Sequence, residues 1–292
     1  MLKTKILEVK VLSPTPVKVG ILKLGCVGTA PLLEYLLDER ADRGDIKVRV
    51  VGSGAKLDPE EAEDAAKGML NFKPDFAIVV SPNAALPGPT KAREILKEAG
   101  IPVIVVSDLP AKRATKDMEA KGFGYIVVEA DAMIGARREF LDPVEMACFN
   151  ADIIKVLAVT GVYNLLVKNI DSVIQAFKEG KQPELPKIVV DRAKAIKEAE
   201  FQNPYASAKA MAAFEAAKKV ADLTVEGCFK IQDREVYIPI VASAHELMGY
   251  AKKLVEEARE IEKQGDTLVR KPHAKDGTLL AKVRLMEKPE KK

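Results

Sequence analysis

The chain has no tryptophan, only two histidines and only three cysteines in 292 residues. Cys26, Cys148 and Cys228 are odd in number and far apart. A disulfide framework is therefore not expected, and a reducing, cytoplasmic setting is the simple expectation. The cysteines also lack zinc-ligand spacing. His245 and His273 have no second His or Cys at ligand distance in sequence, so no metal site is expected. Net charge is nearly absent: 46 basic against 43 acidic residues leave +3. Bulk charge thus gives a nucleic-acid partner no support. No apolar run approaches the roughly 18 residues of a membrane helix, and the N-terminus lacks a signal-peptide core. Walker loops, G-x-S-x-G elbows and H-E-x-x-H helices are missing too.

What is present is a globular composition, 48% hydrophobic and 30% charged. The first part alternates short apolar, β-branched runs with helical segments. Strands are expected at Val17 to Leu24, Lys47 to Val51, Asp75 to Val80, Ile101 to Val106 and Gly124 to Glu129. Helices fall between them, at Pro59 to Leu70, Thr90 to Ala99 and Lys112 to Lys121. This is the signature of a parallel sheet covered on both faces, hence an α/β, Rossmann-like domain over residues 1–141. From Asp142-Pro143, a carboxylate cap followed by a first-turn proline, the pattern becomes helical through residue 292. Within that region Ile188 to Val190 reads as a short strand, and Pro204 to Ala221 as an alanine-rich packing helix. Leu223 to Ile231 and Arg234 to Val241 read as a β-hairpin, and Ser243 to Lys263 as an amphipathic helix. A polar hairpin is expected around Asp276-Gly277.

Strand one runs into GCVGT (Gly25, Cys26, Val27, Gly28, Thr29) and then a helix. Glycines let the backbone approach an anion, and a helix start offers free amides. The NAD-binding version places an acid about 20 residues later, at the end of strand two. Here that strand ends in Gly52, Ser53, Gly54, Ala55 and Lys56. The turn alone serves a phosphate or a plain structural turn about equally well, and Cys26 reads first as a small turn residue. Ser53 and Lys56 keep open an NADP-linked dehydrogenase, in which they would meet a 2′-phosphate. A non-catalytic nucleotide-binding subunit also stands as an alternative. The loop after strand three, with Ser81, Pro82, Asn83, Pro87, Gly88 and Pro89 ahead of Lys91 and Arg93, suits either a wall beside a flat ring or a plain rigid loop. The basic segment Ser107 to Lys116 leaves strand four, where anionic groups would meet it. Asp131, Met133, Arg137, Arg138, Glu139 and Asp142 gather at the junction of the two regions. They suit carboxylate or phosphate recognition, or an ion-pair brace.

Together these segments resemble the coenzyme F420-dependent methylenetetrahydromethanopterin dehydrogenases of archaea. The likeness runs through KLGCVGT, VRVVGSGAK, PDFAIVVSPNAALPGPTKAREIL, GFGYIVVEADAMIGARREFLDPVEMACFNADIIKVLAVTG, FQNPYASAKAMAA, VEGCF, IPIVASAHELM and RKPHAKDG. It covers nearly the whole chain from Val17 and leaves Met1 to Thr15 as an extension. The resemblance implies reversible hydride transfer from methylene-tetrahydromethanopterin to the deazaflavin ring, giving the methenyl cation, in methanogenesis or its reverse. It implies a dissociable coenzyme F420, no flavin, no metal, and a homo-oligomer built as a trimer of dimers. On that basis the coenzyme phosphate is expected at Gly25 to Thr29 with Gly52 and Ser53 nearby. The deazaflavin is expected along Ser81 to Pro89, with Lys56 and Lys91 balancing the anionic tail. The pterin is expected near Met133, Arg137, Arg138 and Asp142, in a cleft of the second region, with Asp131 stabilising the developing cation. No nucleic acid or membrane is implied as a partner.

Overall fold

The computed structural model describes residues 15–132 and 143–290. The expected extension therefore lies almost wholly outside the described residues, and so do Met133, Arg137, Arg138, Glu139 and Asp142. The first part follows a strict alternation: β1 (Val17–Lys23), α1 (Thr29–Leu37), β2 (Ile46–Gly52), α2 (Pro59–Leu70), β3 (Phe76–Ser81), α3 (Pro87–Glu98) and β4 (Val103–Asp108). A 3-10 turn (Leu109–Ala114) and α4 (Thr115–Ala120) then lead to β5 (Gly124–Val128). Every residue of β3, β4 and β5 is buried, which is why these strands read as unbroken apolar runs. The helix starts follow local chemistry: Asp58 accepts the Glu61 amide at 3.0 Å ahead of Pro59.

The second part contains α5 (Pro143–Val159), α6 (Val162–Lys178), β6 (Lys187–Val190), α7 (Arg192–Ala199), α8 (Pro204–Val225), α9 (Arg234–Gln264) and the two-residue strands β7 (Val269–Arg270) and β8 (Val283–Arg284). β6 returns to the sheet beside β5, so the order is β2-β1-β3-β4-β5-β6 with all pairings parallel. One apolar layer joins alternate residues of β1, β3, β4 and β5 to α1, α5, α6 and the inner faces of α8 and α9. The opposite sheet face packs on α2 and α3. β7 and β8 pair antiparallel, and Gly277, at φ +75°, turns the chain between them. This is the small hairpin expected around Asp276-Gly277.

One expected hairpin is overturned. Leu223 to Val241 is not β: α8 runs to Val225, a π turn covers Glu226–Lys230, and α9 starts at Arg234 under an Asp233 cap. The β-branched and aromatic residues there favour strands locally. Their burial nevertheless follows a helical period, through Tyr237, Val241, Ala244, Met248, Ala251 and Val255. Tertiary packing of α9 on α8 outweighs local propensity. Gly227 allows the tight reversal, since a Cβ there would stand 2.7 Å from Val241 Cγ2. The alanine stripe of α8 (Ala206, Ala210, Ala213, Ala217 and Ala221) is buried within the same chain. No single helix among the described residues is long and apolar enough to cross a membrane.

Candidate active site at the carboxyl edge of the sheet

After β1 the chain turns to β2 on one side and to β3 on the other. Such a reversal opens a crevice outside the carboxyl ends of the strands. Three loops converge there. Gly25 takes φ +79° and donates its amide to Gly54 O at 3.0 Å. A Cβ on Gly25 would meet Leu57 Cδ2 at 3.0 Å and Pro82 Cδ at 3.2 Å. Ser53 donates its amide to Lys23 O at 3.1 Å and its hydroxyl to Lys56 O at 2.7 Å. Gly88 lies so close to the loop after β2 that a Cβ would stand 2.1 Å from Leu57 O. The structure thus brings together Gly25, Ser53, Gly54, Leu57, Pro82 and Gly88.

The loop after β3 is held from beneath. The Ser107 hydroxyl donates to Ser81 O at 2.6 Å and accepts the Ala84 amide at 3.1 Å. Arg93 is 2% exposed, and its Nη1 donates to Ala84 O at 2.5 Å. Burial lowers the pKa of this guanidinium, which lies over the Phe123 ring. Asn83 Oδ1 accepts the Ala85 amide at 3.1 Å, while Pro87 and Pro89 lie in the first turn of α3. Ser107 and Arg93 thus tie this loop in addition to its prolines and glycine. Ser107 carries a weak signal in sequence, because a serine follows each of two apolar runs, and in the fold Ser81 stands opposite Ser107.

Asp131, just past β5, is fully buried. Its Oδ1 accepts the Gly28 amide at 2.7 Å and its Oδ2 accepts the Thr29 amide at 2.8 Å. An internal carboxylate therefore occupies the start of α1, where a ligand phosphate was expected. Within the turn, the amides of Cys26 and Val27 carry no acceptor among the described residues. Gly28 admits no side chain: a Cβ would stand 2.9 Å from Asp131 Oδ1 and 2.9 Å from Leu157 Cδ1 of α5.

Two further acids flank this floor. Glu129 takes Lys112 Nζ at 3.2 Å and Lys218 Nζ of α8 at 3.1 Å. That hydrogen bond to Glu129 leads the upward shift of Lys218. Asp108 ends β4 and is 8% exposed. Burial, and then the Asp131 charge, push its carboxyl well above the usual carboxylate range. Lys56 and Lys91 are exposed and paired with Glu61 and Glu63, respectively, on α2.

His273 does not stand at this edge. His245 packs its ring on Phe149 with centroids 4.0 Å apart, and its Nδ1 lies 3.2 Å from Glu145 Oε1. His273 is 1% exposed and joins the C-terminal segment to the opposite edge of the sheet. A cleft of about 1280 Å3 beside it, lined by Tyr163, Phe201, Arg259 and Leu268, holds none of the residues gathered at the carboxyl edge.

Residues 17–290 match the family model described as methylene-5,6,7,8-tetrahydromethanopterin dehydrogenase. The F420-dependent methylenetetrahydromethanopterin dehydrogenase of Archaeoglobus fulgidus is 63% identical over 274 residues, 94% of this chain and 99% of that protein. The Methanocaldococcus jannaschii protein of the same name is 58% identical over 275 residues, again 94% and 99%. A solved F420-dependent methylene-tetrahydromethanopterin dehydrogenase, in complex with methylene-tetrahydromethanopterin and coenzyme F420, superposes with a TM-score of 0.90 at 50% identity. It covers 94% of this chain and 100% of its own.

Proposed function

This chain belongs to the methylene-5,6,7,8-tetrahydromethanopterin dehydrogenase family, and from that premise we propose how its carboxyl-edge crevice is used. The protein is an F420-dependent oxidoreductase of archaeal one-carbon metabolism. It transfers hydride reversibly between methylene-tetrahydromethanopterin and coenzyme F420, which binds as a dissociable co-substrate. The observation that carries this is the 50% identical structure with both compounds bound, matched along its whole length. An NADP-linked enzyme and a non-catalytic subunit are thereby set aside.

The reaction asks for placement more than for a nucleophile. Two rings must meet face to face in a dry site, and orientation alone is worth about 7–11 kcal/mol. In our reading the coenzyme lies over residues 25–29, 52–56 and 81–91, within the first region of the chain. The tied loop of Ser81, Pro82, Asn83, Pro87, Gly88 and Pro89 supports the ring. Because Asp131 holds the Gly28 and Thr29 amides, the phosphate falls to the amides of Cys26 and Val27 beside Ser53. Lys56 and Lys91 would exchange their surface carboxylate partners for the anionic tail. The pterin lies against the segment carrying Met133, Arg137, Arg138 and Asp142, in the second region. Asp131 supplies fixed negative charge for the methenyl cation. Two amides pin it in advance, so little reorganisation is needed when the charge appears.

The assembly we propose is a trimer of dimers in the cytoplasm. Tyr205, Ala208, Met211 and Ala212 on the exposed side of α8 supply apolar surface for it. The test of function is direct. Protein mixed with methylene-tetrahydromethanopterin and oxidised F420 should bleach the deazaflavin visible band. An unchanged band alongside NADP reduction would overturn the reading.

A further inference from the structure

Among the described residues, three buried oxygens at the carboxyl edge have no hydrogen-bond partner: Thr29 Oγ1, Ser81 Oγ and Asp108 Oδ1. Such atoms are uncommon in native folds because each forfeits its hydration, at roughly 1–3 kcal/mol. Thr29 opens α1, Ser81 ends β3 and Asp108 ends β4, all on the carboxyl side of the sheet. Asp108 is the costliest of the three. Among the described residues its Oδ1 has neither hydrogen-bond partner nor ion pair, and its charged neighbour Asp131 has the same sign. Asp131 already accepts an amide at each oxygen. Burial first and the Asp131 charge second raise the Asp108 pKa well above the usual carboxylate range, against the bond from its own backbone amide, so Asp108 is the acid at this end of the sheet disposed to hold a proton. Its neighbour in the chain, Ser107, ties the end of β3 to Ala84, so Asp108 adjoins the loop assigned above to the deazaflavin.

We propose that Asp108 faces the N1–C2 carbonyl edge of the deazaflavin and passes its carboxyl proton to N1 as hydride reaches C5. The inference rests on the hydride-transfer reading above. The C–H bond of the substrate methylene breaks with its electron pair, which forms the new C–H bond at C5, and the substrate becomes a cation. The O–H bond of Asp108 breaks and an N–H bond forms. Asp108 is left as carboxylate and regains a proton from water after product release. One proton is consumed per turnover in this direction and released in the other. Reduction of the coenzyme should therefore slow as pH rises through the Asp108 titration, and the reverse reaction should quicken.

Infrared difference spectra on adding oxidised F420 to the wild-type protein test the contact without turnover. A protonated-carboxyl stretch should shift on binding and be absent from Asp108→Asn. In single-turnover reduction Asp108→Asn should be slower by on the order of 100-fold and lose the alkaline fall, while Asp108→Glu should restore it. A carboxyl stretch that F420 does not move, or Asp108→Asn with the wild-type rate and pH profile, would overturn the proposal. A wild-type protein that leaves the deazaflavin band unbleached would instead sink the reading on which it rests.

Discussion

The two edges of one sheet treat charge in opposite ways. At the amino edge, opposite charges are matched around His273. Its Nδ1 meets Glu39 Oε2 at 2.6 Å and its Nε2 meets Asp171 Oδ2 at 2.7 Å. Nearby, Arg43 pairs with Asp45 at 2.8 Å, and Lys178 pairs with Asp45 at 3.1 Å. Burial alone would strip the imidazole of its proton, but the bonds to Asp171 and Glu39 outweigh it and raise the pKa to about 9. At the carboxyl edge, Asp108 and Asp131 stand together with like charge, and Thr29 Oγ1, Ser81 Oγ and Asp108 Oδ1 have no hydrogen-bond partner among the described residues. The first arrangement fastens the C-terminal hairpin to α1 and α6. The second keeps a buried carboxyl group beside another of the same sign. Opposite-charge pairs dominate the amino edge, where Arg43 Nη1 and Asp171 Oδ1 also have no hydrogen-bond partner among the described residues, while the Asp108–Asp131 pair of like charge sets the carboxyl edge apart.

The sharpest way to break this contrast is Asp131→Ala. It would leave two buried amides unsatisfied, and we expect a loss of about 3 kcal/mol in denaturant unfolding together with weaker F420 binding. Unchanged stability would mean that Asp131 does not anchor α1. Next in size is His273→Gln. The folded pKa lies near 9, above the unfolded value of 6.5, so the native state holds the extra proton between them. The stabilisation is full below pH 6.5 and lost as pH rises through about 9, with a limit near 3 kcal/mol. Wild-type melting temperature should fall across that window and His273→Gln should not follow it; parallel curves would refute the clasp. The smallest effect belongs to Lys112→Ala. Its side chain is 56% exposed, so losing the Glu129 pair should change stability by less than about 1 kcal/mol. A larger loss would place structural matching at the carboxyl edge as well.

Much of the fold was legible because its signals are local. The runs FAIVVS and VIVVSD are apolar at every position but the last one or two, and only strands buried on both faces read that way. The turn at Gly25 and the start of α2 at Asp58-Pro59 are likewise short-range choices, whereas α3 starts at Pro87, three residues before the expected Thr90. The hairpin expected at residues 223–241 failed where two local signals conflict: strand-forming side chains at helical spacing. Arg93 read as a basic residue at a helix start. Its burial under Ala84 follows from how α3 leans on the sheet, which no neighbouring residue announces.

Sequence by itself determined the parallel α/β plan, the glycine turn without its acid, and the family, since these reside in residue types and spacing along the chain. Tertiary structure decided what fills that turn. Asp131 is 103 residues from Gly28, and His273 is 234 residues from Glu39. A carboxylate finds its partner only once packing has brought distant segments within hydrogen-bond reach. Which acid is pinned, which is left with its proton, and which charge is matched are therefore properties of the folded protein rather than of any stretch of its sequence.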